Sequence, residues 1–557
     1  MKVFDRFQVA YNTVDKYTAS AKQNPHKHMA PYISWIASEL AKRFPKADLH
    51  KGIDLNGNGR LEEPEKIHDF DDDGVVGSER DLRDFLKKNE LQIRSLGGFF
   101  KWSEPFKTNN PIHDILAIES ELASPQEVKE AYHKLDKIFS HIRLVNPNLT
   151  PQDKLKRLHD IMESMGFTFG DSDHVLFVQD MAANRLDGDT ASFVVLAIGH
   201  ELGWPIYLVT APRYMFVRWE GGDNAQFNID FGTFQINQDQ DYVRSLNIPA
   251  VSIQQGTYLR NLDRKRIFAF ALSNRGVEKK IRGDYLGAIE DCNQSINLDP
   301  SNVQSYINRG GAKGQLGNHR GDIEDQTVAI QLNPNNSTAY INRGVAKKDL
   351  GNLRDAFAEY DKAIELDPGN AFAYTNRCLV KDMLGDDLGA INDCDQAIKI
   401  NPKMAEAYDT RGSAKANMGK NKEALEDFNK AIELNPQLAN AYNNRGLVKS
   451  ALHDLPNAIT DFDKSIQLNP NFVEAYMNRG ITRGELGQPG RAIEDFNTAI
   501  RLDPKDFRPY YNRAVTRAGQ GNLEGALFDL DKAFEINPND SKIKTVQDDL
   551  KKRLKKH

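Results

Sequence analysis

Cysteine is scarce in this sequence, with three residues among 557. So few cysteines cannot build the disulfide framework of a small secreted domain, and they fit a reducing compartment. The sequence also lacks any apolar run near the roughly 20 residues that a membrane-spanning helix needs. Charges interrupt its first residues, Met-Lys-Val-Phe-Asp-Arg-Phe, which argues against a secretory signal. We therefore expect a cytoplasmic protein, although export by a route without a cleaved signal stays open.

An excess of positive charge is missing as well. Lysine and arginine total 73 against 79 aspartates and glutamates, for a net charge of -6. Proteins that bind nucleic acid by neutralising phosphates are usually basic, so this balance argues against that class. Hydrophobic residues make up 39% and charged residues 27% of the chain, as expected for a protein that buries real cores.

Proline recurs at a fixed interval of 34 residues through the second half of the chain. The series comprises Pro300, Pro334, Pro368, Pro402, Pro436, Pro470, Pro504 and Pro538. Eight such units fill residues 269 to 540, each with two stretches of helix length. Small residues such as Gly344 and Ala356 recur where the two helices must approach each other. The pattern closely resembles the tetratricopeptide repeat (TPR), which implies an all-α superhelix of helix pairs with a concave groove.

A terminal helix is expected after the last repeat, in residues 541 to 557. Ile543, Val546, Leu550 and Leu554 would form one apolar stripe along it. Repeat stacks need such a cap, with a polar outer face.

An asparagine follows two positions after the repeat tyrosine in most units. The series comprises Asn274, Asn308, Asn342, Asn376, Asn444, Asn478 and Asn512, and Thr410 interrupts it. In some TPR proteins an asparagine at the matching place lines the groove and holds a peptide backbone. A carboxamide offers both a donor and an acceptor, so it can pair with any peptide unit. The alternative is that these amides pair within the stack.

An arginine follows that position in all eight units, and an acid recurs sixteen residues later. The arginines are Arg275, Arg309, Arg343, Arg377, Arg411, Arg445, Arg479 and Arg513. The matching recurrence predicts an arginine–carboxylate pair that bridges the two helices of each unit. The alternative is a row of arginines that binds anions.

All three cysteines lie within the repeats. Cys292 and Cys394 stand where other units have Phe or Tyr, and Cys378 replaces the repeat glycine. We expect all three to be packed as apolar residues.

Residues 54–65 match the twelve-residue EF-hand loop, with a glycine for the sharp turn at Gly59. The oxygen ligands would come from Asp54, Asn56, Asn58, Arg60 (through its carbonyl), Glu62 and Glu65. Hard oxygen ligands in this number favour Ca²⁺. The alternative is a solvated turn.

A second acidic loop, residues 69–80, begins only fifteen residues later. Asp69, Asp71, Asp73 and the carbonyl of Val75 would be its ligands, but its twelfth place is Arg80 instead of an acid. The short separation does not suit an ordinary EF-hand pair. The sequence therefore predicts EF-hand-like calcium loops without requiring an EF-hand domain.

A buried helix and antiparallel strands are predicted between residues 191 and 231. Ala191 to Leu202 is apolar almost all round, and Gly203-Trp204-Pro205 would end the helix. Residues 206–209, 215–219 and 227–231 have strand patterns. Earlier, Thr150-Pro151 is a typical helix start.

This order of elements resembles the transglutaminase-like (papain-related) fold, over about residues 110 to 265. The matching text includes Leu196-Ala-Ile-Gly-His-Glu-Leu-Gly-Trp-Pro-Ile-Tyr and Asn228-Ile-Asp. The resemblance is to bacterial proteins that join such a domain to TPRs. It implies a catalytic triad of Cys, His and acid.

Two of the three triad places hold other residues. The Cys place falls on Gly188 and the His place on Tyr214, while the acid place keeps Asp230. A thiolate needs a neighbouring imidazole, and the imidazole needs an acid to orient it. The domain is therefore interpreted as a pseudoenzyme without catalytic residues.

The sequence thus predicts a multidomain protein. Its parts are a helical segment with calcium loops (1–95), an α+β transglutaminase-like domain (96–268), eight TPRs (269–540) and a capping helix (541–557). We expect a non-catalytic scaffold that binds an extended peptide or partner protein in the TPR groove, with Ca²⁺ stabilising the N-terminal region. Two alternatives stay open: an enzyme acting on peptide or amide bonds through other residues, and a calcium-responsive regulator.

Overall fold

The computed structural model describes residues 110–146, 148–170, 175–212, 214–221 and 226–554. The chain separates into two compact units, with the boundary between Ala339 and Tyr340. We call them the first unit and the second unit, and each is described by itself. No helix in the described ranges is both long and apolar enough to span a lipid bilayer.

The described part of the first unit opens with helices, three of which have a capping side chain at their start. They are α1 (Ile112–Glu119), α2 (Pro125–Ile142), α3 (Pro151–Ser164), α4 (Phe177–Ala183) and α5 (Gly188–Leu202). The Thr150 side chain accepts a hydrogen bond from the Asp153 N–H, and proline follows it at the first helical position. The predicted start of this helix is confirmed.

Helix α5 is the centre of the first unit's core. Its residues from Thr190 to Gly199 are all buried, and it packs on two strands of the following sheet. The Asp187 side chain caps its start by accepting from the Thr190 N–H. Gly203 ends it at a φ of 69°, a left-handed conformation that glycine adopts without strain. The predicted buried helix is confirmed.

An antiparallel sheet follows α5. Its strands are β3 (Ile206–Ala211), β4 (Tyr214–Glu220), β5 (Gln226–Asp230) and β6 (Gln235–Asn237), in that spatial order. A separate parallel pair joins β1 (Thr168–Phe169) to β2 (Arg185–Leu186). The three predicted strands are confirmed, whereas the short β6 was not predicted.

After β6, the regular secondary structure of the first unit is helical. It contains α6 (Asp239–Ser245), α7 (Ala250–Gln254), α8 (Arg264–Ile281), α9 (Tyr285–Leu298), α10 (Val303–Gln315) and α11 (His319–Leu332). The pairs α8/α9 and α10/α11 correspond to the first two sequence repeats.

Helix α12 (Ser337–Asp349) begins just before the unit boundary, and the second unit continues as helix pairs. These helices are α13 (Leu353–Leu366), α14 (Ala371–Met383), α15 (Asp387–Ile400), α16 (Ala405–Asn417), α17 (Asn421–Leu434), α18 (Ala439–Ala451), α19 (Leu455–Leu468), α20 (Val473–Glu485), α21 (Pro489–Leu502), α22 (Phe507–Gly519) and α23 (Leu523–Ile536). A final helix, α24 (Ser541–Leu554), buries Ile543 and Leu550 against the last pair. The predicted capping helix is confirmed.

The predicted arginine–carboxylate pairs are present in all eight repeats. In seven of them the arginine Nε and Nη2 both donate to one aspartate, at 2.5–3.1 Å. In the remaining repeat Arg343 Nη2 donates to Glu359 at 2.9 Å. Each acid is buried, so the pair joins the first and second helix of its repeat in a low-dielectric place.

Further contacts surround each pair. A lysine or arginine four residues after the repeat arginine contacts the same carboxylate, as Lys415 contacts Asp427 at 2.7 Å. The preceding second helix often contributes an Asp or Asn, as Asp395 does to Arg411 at 2.6 Å. The repeat tyrosine lies 5.3–5.7 Å from the guanidinium in seven repeats. The arginine is therefore structural: it holds two consecutive repeats together.

In four repeats the repeat glycine packs against an aromatic ring of the second helix. A Cβ at Gly412 would lie 2.8 Å from the Phe428 ring, and at Gly480 it would lie 2.7 Å from the Phe496 ring. Such distances are far below van der Waals contact. The ring therefore requires glycine opposite it, sixteen residues earlier.

One repeat replaces this glycine–aromatic pair by a disulfide between Cys378 and Cys394. Both cysteines are fully buried in an apolar cluster, as predicted, but the bond between them was not predicted. The reason is geometric: their separation of sixteen residues is that of the touching glycine and ring in other repeats. Cys292 is buried as a free thiol, as predicted.

Loss of one repeat arginine should destabilise the second unit. We expect Arg411→Met to lower stability by about 2–4 kcal/mol, because it leaves the buried Asp427 carboxylate with Lys415 alone. Urea unfolding followed by circular dichroism measures the change. Arg354→Met, which removes an exposed arginine of the same unit, should cost less than about 0.5 kcal/mol. Equal losses in the two variants would contradict the structural role.

The disulfide should be replaceable by the pair found in neighbouring repeats. Removing the 16-residue cross-link through Cys394→Ala should cost about 2–3 kcal/mol. The double variant Cys378→Gly/Cys394→Phe should recover most of that loss, because it reproduces at these two positions the glycine–ring packing seen between Gly412 and Phe428. Thermal unfolding without reductant tests both. No recovery in the double variant would show that the ring does not fit this repeat.

Candidate functional site

The inner side of the second unit is formed by the first helices of its repeats. Helices α14, α16, α18, α20 and α22 contact one another in series. The side of a curved stack on which successive helices approach each other is its concave side. The face on which a groove is predicted therefore lies along these first helices.

Aliphatic side chains are exposed on this inner face. A depression of about 220 Å³ between α18 and α20 is lined by Leu447, Asn478, Ile481 and Thr482, among others. Leu447 is 43% exposed and Ile481 is 39% exposed. Both follow the repeat glycine directly, and Val515 on α22, also exposed, has the same place. The face thus offers an apolar stripe with amide and hydroxyl groups beside it.

The seven predicted asparagines are not equivalent in the structure. At Asn308 and Asn444 both ends of the carboxamide are bonded within the protein. Asn444 donates to Asp409, whose pKa burial raises to about 6. At these two positions the alternative of pairing within the stack holds, because the amide joins successive first helices.

The other asparagines keep more of their bonding capacity. Asn478 donates to Asn443, and Asn376 donates to a carbonyl of its own helix. Each therefore retains its carboxamide oxygen for another partner. Asn274, Asn342 and Asn512 are half-buried on their helices. Peptide binding by these residues stays a prediction.

The arginine row does not offer an anion site. Each repeat arginine donates to its own acid, and the neighbouring lysine or arginine contacts the same carboxylate. An incoming phosphate or carboxylate would have to displace these buried charge-assisted bonds. The alternative of anion binding along this row is therefore disfavoured.

The three predicted remnants of a triad come from adjacent elements of the first unit. Gly188 is the first residue of α5, Tyr214 begins β4, and Asp230 ends β5. A Cβ at Gly232 would lie 3.5 Å from Asp230 Oδ1 and 3.6 Å from the Gly188 Cα. The helix start and the acid therefore meet at one corner. For Tyr214 the structure describes the backbone, which pairs with Ala211.

This corner is acidic. Asp189 lies beside Gly188 and accepts a hydrogen bond from the Met215 N–H. Burial, together with the charges of Asp187 and Asp230, raises the pKa of Asp189 to about 7. The hydroxyls next along the helix are engaged, because Thr190 donates to Asp187 and Ser192 donates to the Gly188 carbonyl. The carboxylates of this corner can accept hydrogen bonds from a ligand. The two hydroxyls are not placed to act as nucleophiles, because each already donates to a group at its own helix start.

The acidic corner borders a cavity of about 410 Å³ among the described residues of the first unit. Asp189, Thr257, Arg266, Asn274 and Ser337 are among its lining residues. The sequence analysis missed this cavity, apart from Asn274. Its walls come from segments spread between residues 189 and 338, and no short motif marks them.

The predicted calcium loops, residues 54–65 and 69–80, lie outside the described residues. Within the described ranges one group of metal-ligand side chains lies close together: His159, Asp160 and Glu163. The two acids are exposed, and the His159 ring is stacked on Phe169 at 4.4 Å. This group does not resemble a preorganised metal centre.

Models of the tetratricopeptide repeat match five stretches of the chain: residues 337–370, 412–453, 439–472, 462–494 and 507–540. No curated protein is significantly similar to this sequence.

Several solved structures are similar to this chain. A tetratricopeptide repeat protein from Parabacteroides merdae is 22% identical, covers 44% of this chain and 97% of its own, and has a TM-score of 0.36. YrrB, described as a TPR protein with an unusual peptide-binding site, is 26% identical. It covers 34% of this chain and 97% of its own, with a TM-score of 0.28. A chain of the Cut9–Hcn1 complex is 14% identical. It covers 99% of this chain and 90% of its own, with a TM-score of 0.44.

The repeat assignment therefore depends on the 34-residue period, the helix pairs and the family models. Together they show that the C-terminal part of this chain consists of tetratricopeptide repeats.

Proposed function

We propose that this protein is a non-catalytic scaffold that binds an extended peptide segment of a partner protein along the inner face of its repeats. Tetratricopeptide repeats bind peptide or protein partners. The observation that carries the proposal here is the exposed aliphatic stripe of Leu447, Ile481 and Val515 on successive first helices. Amides beside this stripe, such as Asn478, would pair with peptide units.

The charge arrangement supports a peptide with apolar side chains as the ligand. The cations of the first helices are bonded to carboxylates of their own repeats. Affinity would therefore come from apolar burial and backbone hydrogen bonds. Binding of this kind depends less on salt than binding driven by exposed charges.

A pseudoenzyme role for the N-terminal half belongs to the same proposal. Gly188 stands where the resembled family has its cysteine, and the neighbouring hydroxyls of Thr190 and Ser192 donate to groups of their own helix start. Asp230 accepts from the Gly232 and Thr233 N–H groups and so stabilises its own turn. The domain would then act as a folded platform for the repeats.

Substitution on the inner face should abolish peptide binding. A random twelve-residue phage library is panned against the full chain, and selected peptides are measured by fluorescence anisotropy. We expect Ile481→Glu to weaken binding at least tenfold, because it places a charge in the apolar stripe. Phe528→Glu, an exposed apolar residue on the second helix α23, is the matched control and should change affinity less than twofold. Equal weakening by both variants, or no selected peptide, would contradict the proposal.

We propose further that Ca²⁺ binds the loop at residues 54–65 and stabilises the protein. The support is the ligand pattern from Asp54 to Glu65. Thermal unfolding of the full chain should show a higher melting temperature in 1 mM Ca²⁺ than in chelator, because an ion that binds the folded state stabilises it. The shift should disappear in Asp54→Ala and persist in Asp160→Ala, which removes an exposed acid of α3.

Two other results would show that residues 54–65 do not bind the ion. An identical shift in wild type and Asp54→Ala, or no shift at millimolar Ca²⁺, would reject this site. A regulatory role requires more, because Ca²⁺ would then have to change the affinity for the selected peptides and not the stability alone.

A further inference from the structure

The inner face of the second unit changes character along the stack. Aliphatic side chains such as Leu447 and Ile481 are exposed on α18 and α20. Between α14 and α16 the same face carries carboxylates instead. Asp382 on α14 accepts hydrogen bonds from Ser413 Oγ at 3.1 Å and from Asn417 Nδ2 at 3.0 Å, both on α16. This carboxylate therefore lies where the two first helices approach each other, which is the inner side.

Three further acids surround this contact between α14 and α16. Asp409 on α16 is 8% exposed and accepts a hydrogen bond from Asn444 of α18 at 3.1 Å. Glu406 is exposed and lies three residues before Asp409, on the same side of the helix. Burial and the charge of Asp387 raise the pKa of Asp382. Burial also raises the pKa of Asp409 to about 6, and the charges of Glu406 and Asp382 add to this rise. The four carboxylates therefore repel one another in a partly desolvated place.

No ion pair in the described residues of the second unit joins these four acids to a cation. The lysines and arginines of α14 and α16 have other partners, because each is bonded to an acid of a second helix. These ion pairs are Arg377 and Lys381 with Asp393, and Arg411 and Lys415 with Asp427. Removing an acid from water without a cation beside it is costly. A cationic side chain of a ligand would reduce that cost, whereas an acidic one would raise it.

We propose that the peptide segment bound by the inner face carries a lysine or arginine, which lies between α14 and α16 against Asp382 and Glu406. This inference rests on the proposed function and names the kind of peptide that binds. The aliphatic stripe still supplies most of the affinity, because charge complementarity contributes to specificity more than to strength of binding. Glu406 is exposed and Asp382 is half-buried, so a side chain of the peptide can reach both, whereas Asp409 acts through its charge.

The two parts of the face also set a spacing within the peptide. The contact between α14 and α16 lies two helix steps from the depression between α18 and α20, because the first helices follow one another in series. Packed helices lie about 8–10 Å apart, so about 16–20 Å separates the two places. An extended chain advances about 3.3 Å per residue, so about five or six residues lie between the basic side chain and the apolar one.

The peptides selected from the phage library test this inference on the full chain. They should be enriched in a lysine or arginine that stands about five or six residues from an apolar side chain. The tightest peptide is then synthesised in three versions, with lysine, glutamine or glutamate at that position. We expect the glutamine version to bind about fivefold more weakly than the lysine version, and the glutamate version more weakly still, by fluorescence anisotropy.

Charge variants of the protein show whether the contact is specific. Asp382→Asn/Glu406→Gln should weaken the lysine peptide about fivefold and leave the glutamine peptide within about twofold, because only the first loses an ionic contact. Asp355→Asn/Glu423→Gln makes the same two changes at exposed acids of second helices, and this matched control should alter neither affinity. Asp382→Asn/Glu406→Lys should bind the glutamate peptide more tightly than the lysine peptide. Partial unfolding would weaken both peptides and would not reverse their order.

The outcomes distinguish this inference from the proposed function. Selected peptides without enrichment in basic residues, or equal affinities of the three versions, would overturn the inference and leave peptide binding on the aliphatic stripe intact. An unchanged preference for lysine in Asp382→Asn/Glu406→Gln would place the cation elsewhere and would overturn it too. A library that yields no peptide would contradict the proposed function and this inference with it.

Discussion

The repeats depend on one interaction, the arginine–carboxylate bridge between positions sixteen residues apart. Arg411 illustrates it, with two bonds to Asp427 on its own second helix and one to Asp395 on the preceding second helix. A short helix pair cannot bury an apolar face alone, so each repeat needs its neighbour. The bridge fixes the relative orientation of neighbouring helices. The planar guanidinium suits this role because its N–H donors point in fixed directions.

The same geometry explains which substitutions the repeats accept. Positions sixteen apart touch across a helix pair, as the repeat glycine touches a phenylalanine ring at Gly412 and Phe428. One repeat fills these two places with a disulfide, from Cys378 to Cys394. Another places Gln326 opposite Gly310, where it bonds to Asp322. A covalent bond, a ring or a polar pair can thus join the helices, while the arginine bridge is present in every repeat.

The charged side chains of the first helices stabilise the repeats, so other groups are left to recognise a partner. The cations of the first helices are bonded within their own repeats, so the inner face exposes aliphatic side chains and amides. In the first unit, the corner around Gly188 gathers the acids Asp187, Asp189 and Asp230. The cavity beside it is lined by Asp189 and the half-buried Asn274, among others. The inner face of the repeats therefore suits the binding of a peptide or protein partner.

The sequence by itself determined the repeat period, the helix pairs, the arginine bridges, the capping helix and three strands of the sheet. These features arise from residues near each other along the chain, and periodicity exposes them directly. It also contained the spacing of Cys378 and Cys394, although the contact it implies became clear only with the glycine–ring packing. Only the tertiary structure decided which asparagines are engaged and that Thr257, Asn274 and Ser337 share one cavity. Those positions lie up to 80 residues apart, and only the packing of distant segments brings them together.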